Sequence, residues 1–95
     1  MRLSSFEISS IKQTYFDIFK NGEIYLFGSR VDDTLKGGDI DLFITTNNLS
    51  NKLEKKLAFL TALKQKIGDQ KIDVIISKDK NRMIEKEALS HGVLL

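Results

Sequence analysis

The stretch Leu26-Phe27-Gly28-Ser29-Arg30-Val31-Asp32-Asp33-Thr34-Leu35-Lys36-Gly37-Gly38-Asp39-Ile40-Asp41-Leu42-Phe43-Ile44 sets a Gly-Ser turn between two apolar runs and buries an Asp-x-Asp pair in the second. Side chains alternate along an extended chain, so Asp39 and Asp41 share one face about 7 Å apart while Ile40, Leu42 and Ile44 take the other. Two carboxylates that close, in partly dehydrated surroundings, repel each other. Each disfavours ionisation of its neighbour unless a divalent cation neutralises both. The pair therefore marks a cation-binding face on a strand that otherwise reads as core.

The flanking sequence supplies the rest of a small domain. Upstream, Ser4 and Glu7 form a capping box, and Ile8, Ile11, Tyr15, Ile18 and Phe19 follow helical spacing until Asn21-Gly22. Ile24 to Phe27 is short, aromatic and β-branched, as a buried strand is. Residues 29–38 read as a short helix or loop closed by a Gly37-Gly38 turn, and Asp39 to Thr45 as the second strand. Downstream, Ser50 opens a long amphipathic helix with an expected buried stripe of Leu53, Leu57, Leu60, Leu63 and Ile67, stopped by Gly68. Ile72 to Ile76 gives a third strand. Residues 79–90 give a last helix opened by Asp79, with Met83, Ile84 and Leu89 inward. The order αβ(α)βαβα predicts an α/β (α+β) fold, a small mixed sheet with flanking helices and ligands bound at strand ends.

Ninety-five residues are expected to form one domain, 1–95, too short to hold a second, substrate-recognising unit. With 41% hydrophobic and 29% charged residues and neither Pro nor Cys, the composition is that of an ordinary globular domain without disulfide or thiolate-metal chemistry. The N-terminus lacks the apolar stretch of a signal peptide and no run reaches a membrane span, so a cytoplasmic protein is expected. A net charge of +2 does not argue for nucleic-acid binding. Residues 1–50 hold five Lys/Arg against seven Asp/Glu, and residues 51–95 hold ten against six, which leaves the half with the acidic pair negative until a cation arrives.

Asp73 repeats the anomaly, a carboxylate set between Ile72 and Val74-Ile75-Ile76. If the second and third strands are neighbours, Asp39, Asp41 and Asp73 meet as hard oxygen ligands suited to Mg²⁺, whereas the lone His91 cannot supply a zinc site. Mg²⁺ held by a few carboxylates keeps positions open for substrate phosphates, which points to phosphoryl or nucleotidyl transfer. Gly28 at a strand end lets backbone approach an anion, and Ser29 adds a hydroxyl. Neither a P-loop nor a dinucleotide fingerprint is present. Arg30 either meets a phosphate or pairs with Asp39 or Asp41. Tyr15, Tyr25 and Phe27 read as core rather than as a base-stacking platform, and His91 as a surface residue. The tail Val93-Leu94-Leu95 docks either on the core or on a partner.

Gly-Ser, a spacer, Asp-x-Asp between apolar residues and a later strand Asp together resemble the signature of the DNA polymerase β-like nucleotidyltransferase superfamily. The chain is most similar to its minimal nucleotidyltransferase (MNT) family. Leu26 to Ile44, Lys71 to Ser77 and Glu87-Ala88-Leu89 with Gly92 fall in that family's order, with nine residues between Ser29 and Asp39 where many minimal members have ten. The resemblance implies that Gly28 and Ser29 bind the triphosphate of the incoming nucleotide, ATP by analogy, while Arg30 keeps both of its alternatives, phosphate or carboxylate. It also implies that Asp39, Asp41 and Asp73 form the catalytic and metal-binding set for two Mg²⁺ ions. It further implies a HEPN-domain toxin as partner, with the chain acting as antitoxin by moving AMP from ATP to a toxin tyrosine. Two other readings stand beside this one: a non-catalytic antitoxin that neutralises by binding, and a transferase acting on a small molecule or a nucleic-acid end.

Overall fold

The computed structural model describes residues 3–31, 39–46, 50–77 and 91–95, with the side chains of Ser29 and Arg30 left aside. Its elements are α1 (Ser5–Phe19), β1 (Glu23–Phe27), a 3-10 turn (Gly28–Val31), β2 (Ile40–Thr45), α2 (Lys52–Ile67), β3 (Ile72–Ile76) and β4 (Val93–Leu94). The Gly37-Gly38 turn and the helix over 79–90, with Asp79, Met83, Ile84 and Leu89, lie outside the described residues.

The four strands form one mixed sheet in the order β3-β2-β1-β4. β1 runs antiparallel to β2 and to β4, and β2 runs parallel to β3. A parallel pair needs a long crossover, which α2 provides. The expected α+β sheet with flanking helices is thus the observed architecture. The tail is also resolved: Tyr25 pairs with Leu94 and Leu26 with Val93, and the Leu95 amide donates to the Ile24 carbonyl at 3.0 Å, so it closes the sheet's far edge.

One face of the sheet carries the core. Ile24, Leu26, Ile40, Leu42, Ile44, Ile72, Val74 and Ile76 pack there against Ile11, Tyr15 and Phe19 of α1 and Phe59 and Leu63 of α2. Phe19 stacks on Tyr15 with centroids 5.5 Å apart and meets Phe59 edge-on at 6.1 Å, so aromatic contacts join the two helices. Buried Thr14 adds a polar tie, donating to the Ser10 carbonyl at 2.7 Å and accepting from Lys66 Nζ at 2.9 Å.

The capping box forms as expected: the Glu7 amide donates to Ser4 Oγ at 3.1 Å and the Ser4 amide to Glu7 Oε1 at 2.9 Å. The other oxygen of Glu7 accepts from Gln70 Nε2 at 2.8 Å, tying the start of α1 to the loop before β3. Lys20 in the left-handed region ends α1, one residue before the expected Asn21-Gly22 stop.

Three expectations for the helices and aromatics are corrected. The N-cap position of α2 is Asn51 at φ 54°, without a side-chain cap hydrogen bond, and not Ser50. Its buried line runs through Phe59 and Leu63, while Leu53 and Leu57 are 68% and 56% exposed. On a helical wheel Leu57 lies about 160° from Phe59, so the expected stripe divides: Leu63 is buried and Leu60 and Ile67 pack against the core, while Leu53 and Leu57 fall on the outward flank. Tyr15 is core, but Tyr25 and Phe27 lie on the opposite sheet face. There Tyr25 tilts against fully buried Phe43.

Gly22 shows why the α1–β1 turn needs glycine. Its φ is +94°, and a Cβ there would overlap the Thr45 carbonyl and lie 2.8 Å from the Tyr15 hydroxyl. That hydroxyl donates to the carbonyls of Asn21 and Thr45, clamping the turn to the end of β2. Burial, with Glu23 second, pushes the Tyr15 hydroxyl up to about 12, so it stays a donor. Gly22→Ala should therefore destabilise the chain by about 2–4 kcal/mol, read as a lower urea midpoint at unchanged slope.

Candidate functional site

The acidic residues gather where β1 ends and β2 and β3 begin, on the face turned from the core. Antiparallel register sets Phe27 beside Asp41, and parallel register sets Asp41 beside Asp73. Across adjacent strands such partners lie about 4.8 Å apart, which brings the two carboxylates within reach of each other. The apolar residues between them, Ile40, Leu42, Ile72 and Val74, point into the core and anchor the strands. The local sequence thus alternates core anchor and outward carboxylate.

Asp41 is the pivot. Burial pushes its carboxyl up from the usual range. The charges of Asp73 and then Asp39 push the same way, Lys71 opposes them, and a hydrogen bond with Asp73 adds to the rise. Asp73 itself is exposed on the edge strand. Asp39, just before β2, has its Oδ2 3.4 Å from Lys71 Nζ. Ile40 pairs with Ile72, so Lys71 falls opposite Asp39, and its carbonyl accepts the Ile40 amide at 3.0 Å. Lys71 was not singled out in the sequence. The signal for it was there once Asp41 is matched to Asp73, because stepping back two residues on each strand pairs Asp39 with Lys71.

Gly28 covers Asp41. Its φ is +77°, and a Cβ there would clash with Asp41 Oδ2 and sit 3.2 Å from the carboxyl carbon. Glycine is required both by the left-handed backbone and by the approach of the turn to the carboxylate. The side chains of Ser29 and Arg30, expected at the nucleotide, lie outside those described; their backbone continues the 3-10 turn away from Gly28. A cavity of about 590 Å³ opens at this end of the sheet, lined among others by Phe27, Asp41, Asp73 and Ile75, with Lys56 and Leu60 of α2 on its other side. Phe27, Lys56 and Leu60 join the site only through the fold, since nothing in their local sequence sets them apart from other helix and strand residues.

Among the described residues no group of three or more acidic or histidine side chains is drawn together tightly enough to hold a metal ion as it stands. The donor chemistry nevertheless fits a hard divalent cation. Asp41 and Asp73 are adjacent hard-oxygen donors, Asp39 lies near enough to act on Asp41 electrostatically, and the Gly28 turn closes directly on the Asp41 carboxylate.

This charge arrangement has a measurable cost. Because Asp41's folded pKa is raised, its favourable contribution is complete below the ordinary value of 3.8 and is lost as pH rises through the folded pKa. In EDTA, the thermal midpoint of Asp41→Asn minus that of the wild type should be smallest near pH 4 and grow toward pH 7. Adding a divalent cation should shrink that gap at pH 7 by stabilising only the wild type.

Among the described residues no helix is long and apolar enough to cross a membrane. No curated protein matches the sequence. The family model for the nucleotidyltransferase domain matches residues 8–95, from the second turn of α1 through both aspartate-bearing strands to the closing strand, and the chain therefore belongs to the nucleotidyltransferase domain family.

Proposed function

We propose that this nucleotidyltransferase moves AMP from ATP to a tyrosine of a HEPN-domain RNase toxin, in a Mg²⁺-dependent reaction, and thereby acts as the toxin's antitoxin. The observation that carries the chemistry is the registered Asp41–Asp73 pair under the Gly28 turn. Asp39, Asp41 and Asp73 would hold the metal, which when bound neutralises the carboxylates and the phosphate charge. Gly28 and Ser29 would offer backbone and hydroxyl donors to the triphosphate, and Arg30 would add charge. The tyrosine oxygen attacks the α-phosphorus, the bond to the β-phosphate's bridging oxygen breaks, and pyrophosphate leaves. Asp73, exposed on the edge strand, is the carboxylate that an incoming protein hydroxyl meets first and takes its proton.

The test pairs the chain with the HEPN-domain protein, Mg²⁺ and ATP labelled at the α-phosphate, and weighs the partner intact. Whole AMP additions are expected with the wild type and none with the Asp39→Ala/Asp41→Ala variant. An unlabelled partner overturns transfer. Rescue of toxin-arrested cells by the double variant, at equal expression, would instead establish neutralisation by binding alone.

A further inference from the structure

We propose that the outward face of α2 is a docking seam for an acidic amphipathic helix of the acceptor protein, which brings the acceptor hydroxyl to Asp41 and Asp73; this rests on the reading of a protein acceptor given above. Leu53, Leu57, Leu60, Lys64 and Ile67 recur at 4-3-4-3 spacing, the pattern by which one helix receives another; Leu60 and Ile67 are partly buried against the core, so the open part of this line is Leu53, Leu57 and Lys64. Leu53 and Leu57, one turn apart, are more than half exposed and lie side by side on the helix. Leu60, the next residue along the seam, lines the cavity that Asp41 and Asp73 also line, and so does Lys56. The apolar strip therefore leads from the start of α2 into the candidate active site.

Charge selects the occupant. Of the lysines of α2, Lys64 lies within the line and Lys56 beside it, whereas Lys55 and Lys66 fall on the opposite flank, Lys66 donating to Thr14; the one acid of the helix is Glu54. Lys64 sits within the seam itself, where an apolar partner residue would leave an ammonium desolvated and an acidic one would pair with it. A second copy of this chain, laid along the same seam, would oppose lysines to lysines. An acidic helix meets neither penalty. With 16 residues α2 is about 24 Å long, enough for four turns of contact.

The probes are two synthetic helical peptides with leucines at the seam positions, one carrying glutamates at the flanking positions and its twin carrying lysines. Binding to the full chain is followed by fluorescence anisotropy, with nuclear magnetic resonance shifts mapping the contact. The acidic peptide should bind, should weaken as salt rises, and should shift amides of residues 53–64. Leu53→Glu with Leu57→Glu should weaken it at least about tenfold while circular dichroism stays unchanged, since both positions are exposed. Lys56→Glu with Lys64→Glu should reverse the preference toward the basic twin. No binding of the acidic peptide, equal binding of the twins, or self-association of the chain that the leucine variants abolish would each overturn the proposal. Failure of the two readings is separable. If the peptide binds but no AMP reaches any acceptor, the docking seam stands and transfer falls. If the double glutamate variant modifies the acceptor protein at the wild-type rate, the seam falls and transfer stands.

Discussion

Asp41→Asn is expected to cut nucleotidyl transfer by about 10²–10³-fold, some 3–4 kcal/mol of transition-state stabilisation, while leaving the fold intact. The substitution is nearly isosteric, so the contact with Gly28 and the β2 register are kept. What disappears is one negative charge at the point where Asp73 and Asp39 both act, and with it the strongest reason for a divalent cation to bind there. The loss should appear in kcat with a smaller change in KM for the acceptor, because the acceptor's docking surface is elsewhere. Single-turnover rates with saturating nucleotide, at pH 7 and fixed Mg²⁺, separate the two. A variant within threefold of the wild type would remove Asp41 from the reaction. The same variant is the more stable protein in EDTA, so lower activity and higher stability should appear together, as expected where like charges are held in proximity for a ligand's sake.

The acidic pair, its partner strand and the Gly28 turn were legible because each breaks a local rule. A carboxylate inside a run such as Ile72-Asp73-Val74-Ile75-Ile76 has no packing rationale, and a glycine at a strand's end suggests close approach. Helix α1 was equally readable, because a capping box is a short-range signal whose partners are three residues apart. What stayed hidden was set by contacts distant in sequence. Val93–Leu94 is too short for any periodicity, and becomes a strand only because β1 offers it a free edge. Lys71 pairs with Asp39 across the β2–β3 register, which no local pattern encodes. Tyr25 and Phe27 share an alternating strand with core residues, and alternation says that two faces differ without saying which one meets the helices. The face of α2 failed for a related reason. Helical periodicity detects a stripe, and α2 has two: exposed leucines at 53 and 57, and a buried line through Phe59 and Leu63 against which Leu60 and Ile67 also meet the core.

Those two stripes should respond to truncation in opposite ways. Phe59→Ala is expected to cost about 3–5 kcal/mol, because the ring is fully buried between α1 and the sheet and its edge-on contact with Phe19 goes with it. For a domain whose whole stability is about 5–15 kcal/mol, that removes a large share and should lower the thermal midpoint by roughly 15 °C or more. Leu57→Ala, two residues away and formally the same kind of hydrophobic truncation, should change stability by no more than about 0.5 kcal/mol, since more than half of its surface is already in water. Urea titrations of the two variants side by side give the comparison, with equal slopes required for the difference to be read as stability. If Leu57→Ala proved as costly as Phe59→Ala, the outward stripe would have to be covered in the folded chain, and the docking seam on α2 would lose the surface it depends on. If the costs separate as expected, Leu57 contributes almost nothing to folding, and its apolar surface stays open to the helix proposed to dock there.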